Sequence, residues 1–329
     1  MNGETSGYED VTSGIPQGSV LGPLLFLIYI NDLPDEVAIL IKLFADDTKL
    51  FARIVTLQDC ADLQKDLTAL HDWSIKWLLH FNAVKCKVLR LESDAPPFQY
   101  SMLTKDGFDR ALEESECERD LGVMVDNKLK FSTHVDTVVE KANKLLGVLR
   151  RTMPYLDINT LSLLYKSLIR PHLEYANVAW QLYFKKDTKK IEDVQRRATR
   201  LIPALREMDY CSRLRLLKIP TIAYRRVRGD MIELYKYMHG VYRTGSDLLK
   251  FAKESKTRGH SFKLQTQVCV TRVRHDFFSQ RVVCMWNDLP ESVVTSSSTN
   301  VFKKQLDAHW KSRMYELEIY YTHRDRPLV

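Results

Sequence analysis

The sequence lacks closely paired cysteines and a long apolar run, and its first residues do not resemble a leader; each of these features argues against a class of protein. Its six cysteines are far apart and form no Cys-x-x-Cys pair, which argues against a structural zinc site and a disulfide scaffold. The most apolar run, residues 20–30, is too short to span a membrane and contains Gly22 and Pro23. The residues after Met1 do not form a signal peptide. We therefore expect an intracellular protein, nuclear or cytoplasmic, that is neither secreted nor bound in a membrane.

Positive and negative charges are distributed unevenly along the 329 residues. Residues 1–140 contain 13 Lys and Arg against 24 Asp and Glu, whereas residues 141–329 contain 36 against 18. A cation surplus of this size favours contact with a polyanion, and nucleic acid is favoured over a membrane surface. The alternative is that the cations only occupy the solvated faces of helices.

A tight loop and an apolar segment form the first informative part of the sequence. Residues 13–24 contain three glycines and two prolines, which restrict the backbone of the loop. The next segment is apolar on nearly every side and has Pro23 at a favourable first-turn position. This pattern predicts a buried helix that ends near Pro34.

Two adjacent carboxylates, Asp46 and Asp47, lie between two short apolar runs. The runs are rich in β-branched and aromatic residues, so the pattern predicts a hairpin with both carboxylates at its tip. Carboxylate oxygens on a rigid tip suit a magnesium ion, because this cation prefers oxygen ligands in a fixed geometry. Asp-Asp is also a common turn dipeptide, so a purely structural turn is the alternative.

In combination, these motifs resemble the palm of a reverse transcriptase. The resemblance is carried by the sequences GIPQGSVLGP at residues 14–23, YINDL at 29–33 and FADD at 44–47. Their order and spacing are similar to those of non-LTR retrotransposons of the jockey and CR1 type. The resemblance implies an RNA-directed DNA polymerase that transfers nucleotides with two Mg²⁺ ions. Its partners would be an RNA template, a DNA primer and deoxynucleoside triphosphates.

The same resemblance implies roles for individual residues. Asp46 and Asp47 would be the catalytic carboxylates, with Asp46 as the metal ligand and Asp47 assisting or orienting it. Lys85 would lie near the incoming triphosphate and donate a proton to pyrophosphate, although a lysine on a strand edge is an equally good interpretation. The template and the nascent base pair would be contacted by Gln17, Gly18, Ser19 and Phe44. The primer strand would be braced by Leu121, Gly122 and Val123.

Two further elements are predicted between the Asp-Asp hairpin and residue 135. Apolar residues from Leu63 to Trp77 recur at helical spacing and predict a long amphipathic helix. A second hairpin is predicted from strands at residues 121–125 and 129–131, with its turn at 126–128. The resemblance makes this hairpin the primer grip.

From residue 135 onward, apolar residues recur at helical spacing among many basic residues. Four such stripes begin at Val135, Leu161, Ile191 and Ile222. Basic helices that follow a palm would act as a thumb that grips phosphates without reading sequence. The cations expected to do so on the third helix are Lys185, Lys186, Lys189, Lys190, Arg196, Arg197 and Arg200. Seven cations exceed what a solvated face needs, so phosphate binding is favoured over that alternative.

These patterns predict an α+β fold in three parts. Residues 1–134 would form a partial polymerase palm made of the buried helix, the Asp-Asp hairpin, a helix and the second hairpin. Residues 135–242 would form a basic, mainly α-helical, thumb-like domain. Residues 243–329 would form a linker and a C-terminal helical region, which also resembles the C-terminus of jockey- and CR1-like elements.

One carboxylate that the resemblance requires has no counterpart in the sequence. The family palm carries a third aspartate on a strand before the loop with Gln17 and Gly18, and the acids at residues 4, 9 and 10 do not match its surroundings. We therefore expect a truncated reverse transcriptase, without fingers and first catalytic aspartate, that does not polymerise alone. A non-catalytic nucleic-acid-binding remnant is the main alternative. A hydrolytic nuclease would need further acidic residues, and a non-functional product would fold poorly.

Overall fold

The computed structural model describes residues 14, 18–91, 95–242, 249–252 and 260–317. The chain divides into two compact units, Met1–Glu116 and Cys117–Val329. Both units combine α-helices with two-stranded sheets, which agrees with the expected mixed α and β composition. The functional boundaries expected near residues 134 and 242 remain predictions. None of the helices in the described part of the chain is long and apolar enough to cross a membrane.

The first unit contains two helices and six short strands within its described residues. They are α1 (Gly22–Ile30), β1 (Leu40–Phe44), β2 (Asp47–Phe51), α2 (Leu57–Lys76), β3 (Lys87–Leu89), β4 (Ser101–Leu103), β5 (Asp109–Ala111) and β6 (Glu113–Ser115). The pairs β1–β2 and β4–β5 are antiparallel, whereas β3–β6 is parallel. A 3₁₀ turn at Leu33–Glu36 follows α1.

The long amphipathic helix predicted before Trp77 is confirmed as α2. It begins at a capping box, in which the Asp59 amide donates to Thr56 Oγ1 and the Thr56 amide donates to Asp59 Oδ2. Its apolar face supplies Leu67, Leu70 and Trp73 to the cores of this unit. The helix is therefore the element on which the short strands of the first unit pack.

The prediction that the first helix is buried is wrong. Within α1 only Ile30 is buried, and Leu27 and Ile28 are 59% and 66% exposed. The helix contacts the core through its C-terminal end, where the Tyr29 ring packs edge-on against Trp77. A helix that is apolar on every side needs cover on every side, and the described elements of this unit cover one part of it. The hydropathy of a helix shows how much apolar surface it could bury, but it does not determine which other elements pack against that surface.

The second unit contains one hairpin and ten α-helices within its described residues. They are β7 (Cys117–Asp120), β8 (Val123–Asp126), α3 (Ser132–Thr152), α4 (Ile158–Leu164), α5 (Arg170–Glu174), α6 (Lys185–Thr199), α7 (Tyr210–Leu217), α8 (Ile222–Met238), α9 (Arg272–Asp276), α10 (Phe278–Asn287), α11 (Glu291–Val294) and α12 (Thr299–His309). One apolar core lies among α3 to α7. A second lies among α8, α10, α11 and α12.

The second hairpin exists, but its predicted turn at residues 126–128 is wrong. The strands β7 and β8 meet at Leu121 and Gly122, whose φ angles of 43° and 87° suit a tight hairpin turn. Asp126 instead closes a local turn, since its carboxylate accepts hydrogen bonds from the amides of Lys128, Lys130 and Phe131. Those amides are engaged locally, so residues 129–131 do not form a strand.

The apolar stripes predicted for α3 and α6 are confirmed. The buried stripe residues are Val135, Val138, Ala142, Leu146 and Leu149 in α3, and Ile191, Val194 and Ala198 in α6. The second stripe is correct only at its start, because Leu168 is exposed and Ile169 is buried in its place. A π-helical turn at Tyr165–Ile169 precedes Pro171 and moves the buried face by one position.

A chain of buried hydrogen bonds holds α6 against its neighbours. The Tyr165 hydroxyl donates to Gln195 Oε1 at 2.6 Å, and Gln195 Nε2 donates to the Tyr210 hydroxyl oxygen at 3.1 Å. Tyr210 donates in turn to Glu192, and burial raises the pKa of that carboxyl. Because each buried polar group has a partner, the network orients α6 and does not weaken the core.

Candidate metal site and nucleic-acid surface

The predicted Asp-Asp hairpin is present, and its two carboxylates lie at the tip. Phe44 pairs with Asp47, so Ala45 and Asp46 form the turn, and Ala45 has a φ of 50°. Asp46 and Asp47 are both exposed. Within the described part of the chain, neither carboxylate forms a hydrogen bond or an ion pair. Both are therefore available to a cation from solvent.

The hairpin is held in place by packing on one of its faces. Ile41, Leu43 and Leu50 point towards the core around Leu70 and Trp73. The opposite face carries Leu40, Phe44 and Phe51, which are exposed. Phe44, expected to contact the template or nucleotide, is thus accessible beside the carboxylates.

Two acidic residues that sequence reasoning missed join α2 to the segment between α1 and the hairpin. Asp66 on α2 is buried and accepts hydrogen bonds from the amides of Ala38 and Ile39, at 3.2 and 3.0 Å, directly before β1. Asp32, within the YINDL motif, accepts a hydrogen bond from Trp73 Nε1 at 3.1 Å. The signal for Asp66 was an acid among the apolar positions of an amphipathic helix. The two bonds to Asp66 set where the first strand starts.

In the described residues, the loop that precedes α1 makes no bond with the two carboxylates. The same holds for Lys85. Gly18 has a φ of 85°, and Ser19 Oγ accepts a hydrogen bond from the Gly22 amide at 3.1 Å. Gln17 lies outside the described residues. Lys85 is exposed in the turn before β3. In the parts of the chain that are described, no bond links these residues to Asp46, and no group of three or more metal-binding side chains occurs.

The three residues expected to brace the primer lie at the turn of the second hairpin. Val123 is buried, whereas Leu121 and Gly122 are exposed. Tyr175 supports the turn, since its hydroxyl donates to the Leu121 carbonyl at 2.9 Å. A side chain at Gly122 would meet the Tyr175 ring at 3.2 Å in a left-handed backbone. Glycine therefore allows the turn and the tyrosine to approach closely.

The seven cations predicted to bind phosphates lie on α6 or, for Arg200, directly after it. They differ in whether they already pair with other groups of the protein. Lys190 pairs with Asp136 and Asp187 of the same unit. Arg197 donates to Asn143 Oδ1 at 2.9 Å, and the Arg196 guanidinium lies 4.3 Å from the Tyr210 ring centroid.

The remaining cations lie at the two ends of the helix and along one exposed side. Lys185 and Lys186 are exposed near its start, and Lys186 stacks on Phe184 at 5.0 Å. Lys189 and Arg200 are exposed, and in the described part of the chain their side chains make no hydrogen bond or ion pair. These two are the cations of α6 best placed to meet a phosphate.

Comparison with known proteins places these motifs in a family. Residues 1–145 match the family described as reverse transcriptase (RNA-dependent DNA polymerase). The chain is 29% identical over 216 residues to the RNA-directed DNA polymerase from mobile element jockey of Drosophila melanogaster, a match that covers 61% of this chain and 23% of the relative. The jockey polymerase of Drosophila funebris is 28% identical over 220 residues, with the same two coverages.

A third relative extends the comparison to another element. The probable RNA-directed DNA polymerase from transposon X-element of Drosophila melanogaster is 27% identical over 206 residues, covering 59% of this chain and 22% of the relative. The chain thus matches less than a quarter of the length of each of these relatives. No solved structure matches the chain. Residues 1–145, which carry the glycine-rich loop and the Asp-Asp hairpin, thus match the reverse transcriptase family, and the chain is similar to the RNA-directed DNA polymerases of mobile element jockey and transposon X-element.

Proposed function

We propose that the chain carries the metal-binding hairpin and part of the nucleic-acid-binding surface of an RNA-directed DNA polymerase. Its partners would be an RNA template, a DNA primer and deoxynucleoside triphosphates. The observation that carries the proposal is the hairpin tip, where two exposed carboxylates, which have no partner among the described residues, lie inside the family match. Carboxylates left in water at a rigid turn are suited to recruiting a divalent cation.

The donor atoms at the tip fit magnesium in part. Mg²⁺ commonly keeps several waters and binds through one or two carboxylates together with substrate phosphates. Asp46 and Asp47 would hold it here, with Asp46 as the ligand. Bound divalent ions would supply activation of the primer 3′-hydroxyl and neutralisation of charge on the leaving pyrophosphate. Two carboxylates provide part of a two-ion site, and we propose that the chain alone does not polymerise.

Metal binding at the hairpin gives the direct test of the proposal. Mn²⁺, a paramagnetic substitute for Mg²⁺, should bind the full chain, and Asp46→Asn should weaken that binding roughly 10-fold or more because it removes a charged ligand. The measurement is an electron paramagnetic resonance titration of free Mn²⁺. Asp106→Asn, at an exposed turn elsewhere in the first unit, is the matched control and should bind like the wild type.

A primer-extension assay on an RNA template completes this test. The wild-type chain with Mg²⁺ and deoxynucleoside triphosphates should give no product. Extension that Asp46→Asn abolishes would show that the chain is active by itself and contradict that part of the proposal. Mn²⁺ affinity unchanged by the substitution would remove the metal-site assignment and favour the second candidate.

The second candidate is a non-catalytic module that binds nucleic acid through α6. It is favoured by the exposed positions of Lys189 and Arg200, which in the described part of the chain are bound to no other side chain. Both candidates require phosphate contacts from this helix. They differ in whether Asp46 matters for metal binding.

Salt dependence should identify which cations of α6 contact phosphates. The variant Lys189→Gln/Arg200→Gln should bind an RNA–DNA hybrid more weakly, and its log–log slope of affinity against salt should be shallower by about 2, near 0.9 per lost phosphate contact. Fluorescence anisotropy of a labelled hybrid at several salt concentrations measures both quantities. Lys190→Gln is the control, because Lys190 is already paired with Asp136 and Asp187. A slope change for Lys190→Gln half as large as that of the double variant, in proportion to one charge removed against two, would show that only net charge matters.

A further inference from the structure

A cleft of about 440 Å³ in the second unit is not used by the proposed functions. It lies between the turn of the β7–β8 hairpin, the segment around residues 175–183 and α9. Its volume is within the range of about 300–1,000 Å³ that is usual for small-ligand sites. The walls that concern us are formed by Leu121, Tyr175, Tyr183, Asp276 and Phe277. A built cleft of this size can take a planar group.

Aromatic rings and cations alternate around the cleft. The Arg272 guanidinium carbon lies 4.4 Å from the Tyr183 ring centroid, and Lys130 Nζ lies 5.5 Å from the same centroid. Arg274 lies 5.5 Å from the Phe277 ring centroid. Aromatic faces bordered by cations are the combination by which proteins hold single-stranded nucleic acid.

Two of the aromatic side chains are exposed to a degree that needs an explanation. Tyr175 is 56% exposed and Phe277 is 48% exposed, although both line the cleft. Leu121, on the hairpin turn, is also exposed. A ring that stacked on these side chains would remove apolar surface from water, which is favourable.

Asp276 contributes a buried carboxylate to the wall of the cleft. It is 8% exposed and lines the cleft, yet its Oδ2 atom accepts no hydrogen bond from the described residues. Arg272 Nε, at 3.7 Å from that oxygen, is an ion-pair neighbour beyond hydrogen-bond distance. That oxygen is also closed to solvent, so Asp276 contributes negative charge to the wall of the cleft, beside the Arg272 guanidinium, and not a hydrogen-bond acceptor for a ligand.

We propose that this cleft binds an unpaired nucleobase of a single-stranded nucleic acid. The base would stack against Phe277 or Tyr175. The adjoining phosphates would lie near Lys130, Arg272 and Arg274. The inference rests on the proposed function in one respect, namely that the chain acts on nucleic acid. It adds a site for a base outside the duplex, directly beside the turn expected to brace the primer.

Charge and chemistry favour a nucleotide over an apolar peptide as the occupant. A peptide side chain would use the apolar walls but would bring no phosphate to the cations of the rim. Every base has a stacking face and an attached phosphate, so one nucleotide engages both the aromatic walls and the cations of the rim. The site should therefore accept DNA and RNA and tolerate different bases.

Binding of short labelled oligonucleotides to the full chain tests the inference. Phe277→Ala should weaken binding of a single-stranded DNA 12-mer roughly 10-fold, the usual scale for loss of one stacked base, and should weaken its RNA counterpart similarly. Phe277→Trp should retain wild-type affinity because it keeps a stacking ring. Phe108→Ala, at an exposed position of the first unit, is the matched control and should have no effect.

An abasic strand distinguishes the contribution of the base to binding from that of the phosphate backbone. A 12-mer with abasic sites keeps the phosphates, so it should bind the wild type more weakly, and Phe277→Ala should not weaken it further. Equal affinity of wild type and Phe277→Ala for the normal strand would overturn the inference, as would an equal effect on both strands. Those results would leave the proposed function intact, since it depends on Mn²⁺ binding at Asp46 and on the salt slope of Lys189 and Arg200.

Discussion

Lowering the pH from 7 to 4 should destabilise the second unit by about 3 kcal/mol through one residue, His134. Burial, together with the positive charge of Arg226, lowers the pKa of His134 from 6.5 to about 4. A histidine whose folded-state pKa lies below its unfolded value favours folding only while it is neutral. Its contribution is complete above pH 6.5 and is lost as the pH falls towards 4.

The surroundings of His134 explain why protonation is unfavourable. Nδ1 accepts a hydrogen bond from the Met124 amide at 3.2 Å, so that nitrogen must stay unprotonated. The ring lies edge-on to Trp180 at 4.7 Å, and the Arg226 guanidinium lies 4.0 Å from the Trp180 ring centroid. A proton on the imidazole would break the bond to Met124 and place a second cation near Arg226 in a buried site.

Urea unfolding at pH 7 and pH 4 measures this effect. His134→Gln keeps an acceptor for the Met124 amide but cannot gain a proton, so its stability loss between the two pH values should be smaller by about 3 kcal/mol. Buried carboxylates also titrate in this range, and for that reason the difference between variant and wild type is the relevant quantity. His309→Gln, at an exposed position, should lose as much stability as the wild type. The same loss in His134→Gln would refute the assignment.

Removing Asp230 should lower the free energy of unfolding by about 3–5 kcal/mol, because it leaves a buried cation without its partner. Asp230 and Arg281 have side chains only 7% and 8% exposed, and the pair is bidentate at 2.8 and 2.9 Å. Arg281 also donates to the carbonyls of Asn177 and Val178, which join α10 to the segment after α5. Loss of the carboxylate therefore affects a junction between elements as well as one ion pair.

Chemical denaturation of Asp230→Ala checks this expectation. Glu140→Ala is the control, since its pair with Lys144 is exposed on one helix and should contribute only about 0.3–0.5 kcal/mol. The double variant Asp230→Leu/Arg281→Met should recover part of the loss, because no unpaired charge stays buried. Equal effects of the Asp230 and Glu140 variants would show that burial of the first pair does not matter.

Local patterns were sufficient to predict several elements of this protein. The alternation of short apolar runs around Asp46 and Asp47 predicted the hairpin, and helical spacing predicted α2, α3 and α6. These predictions succeed because strand and helix periods are properties of neighbouring residues. Motif order was likewise enough to predict the reverse transcriptase family that residues 1–145 match.

Other features depend on contacts between residues far apart in the chain. The exposure of α1, the turn at Leu121 and Gly122 and the shift at Leu168 follow from packing partners and from local capping by Asp126. The same holds for the cations of α6, where Lys190 is neutralised by an acid on α3 that lies 54 residues away in sequence.

The sequence by itself thus predicted the family that residues 1–145 match, the position of the two carboxylates and the main helices, because these depend on residue type and spacing. The tertiary structure alone decided which side chains remain available. Asp46 and Asp47 keep their oxygens free of bonds within the described residues, Asp66 sets the start of their hairpin, and Asp276 lies with aromatic rings in a cleft. Availability depends on burial and on distant partners, which no local pattern contains.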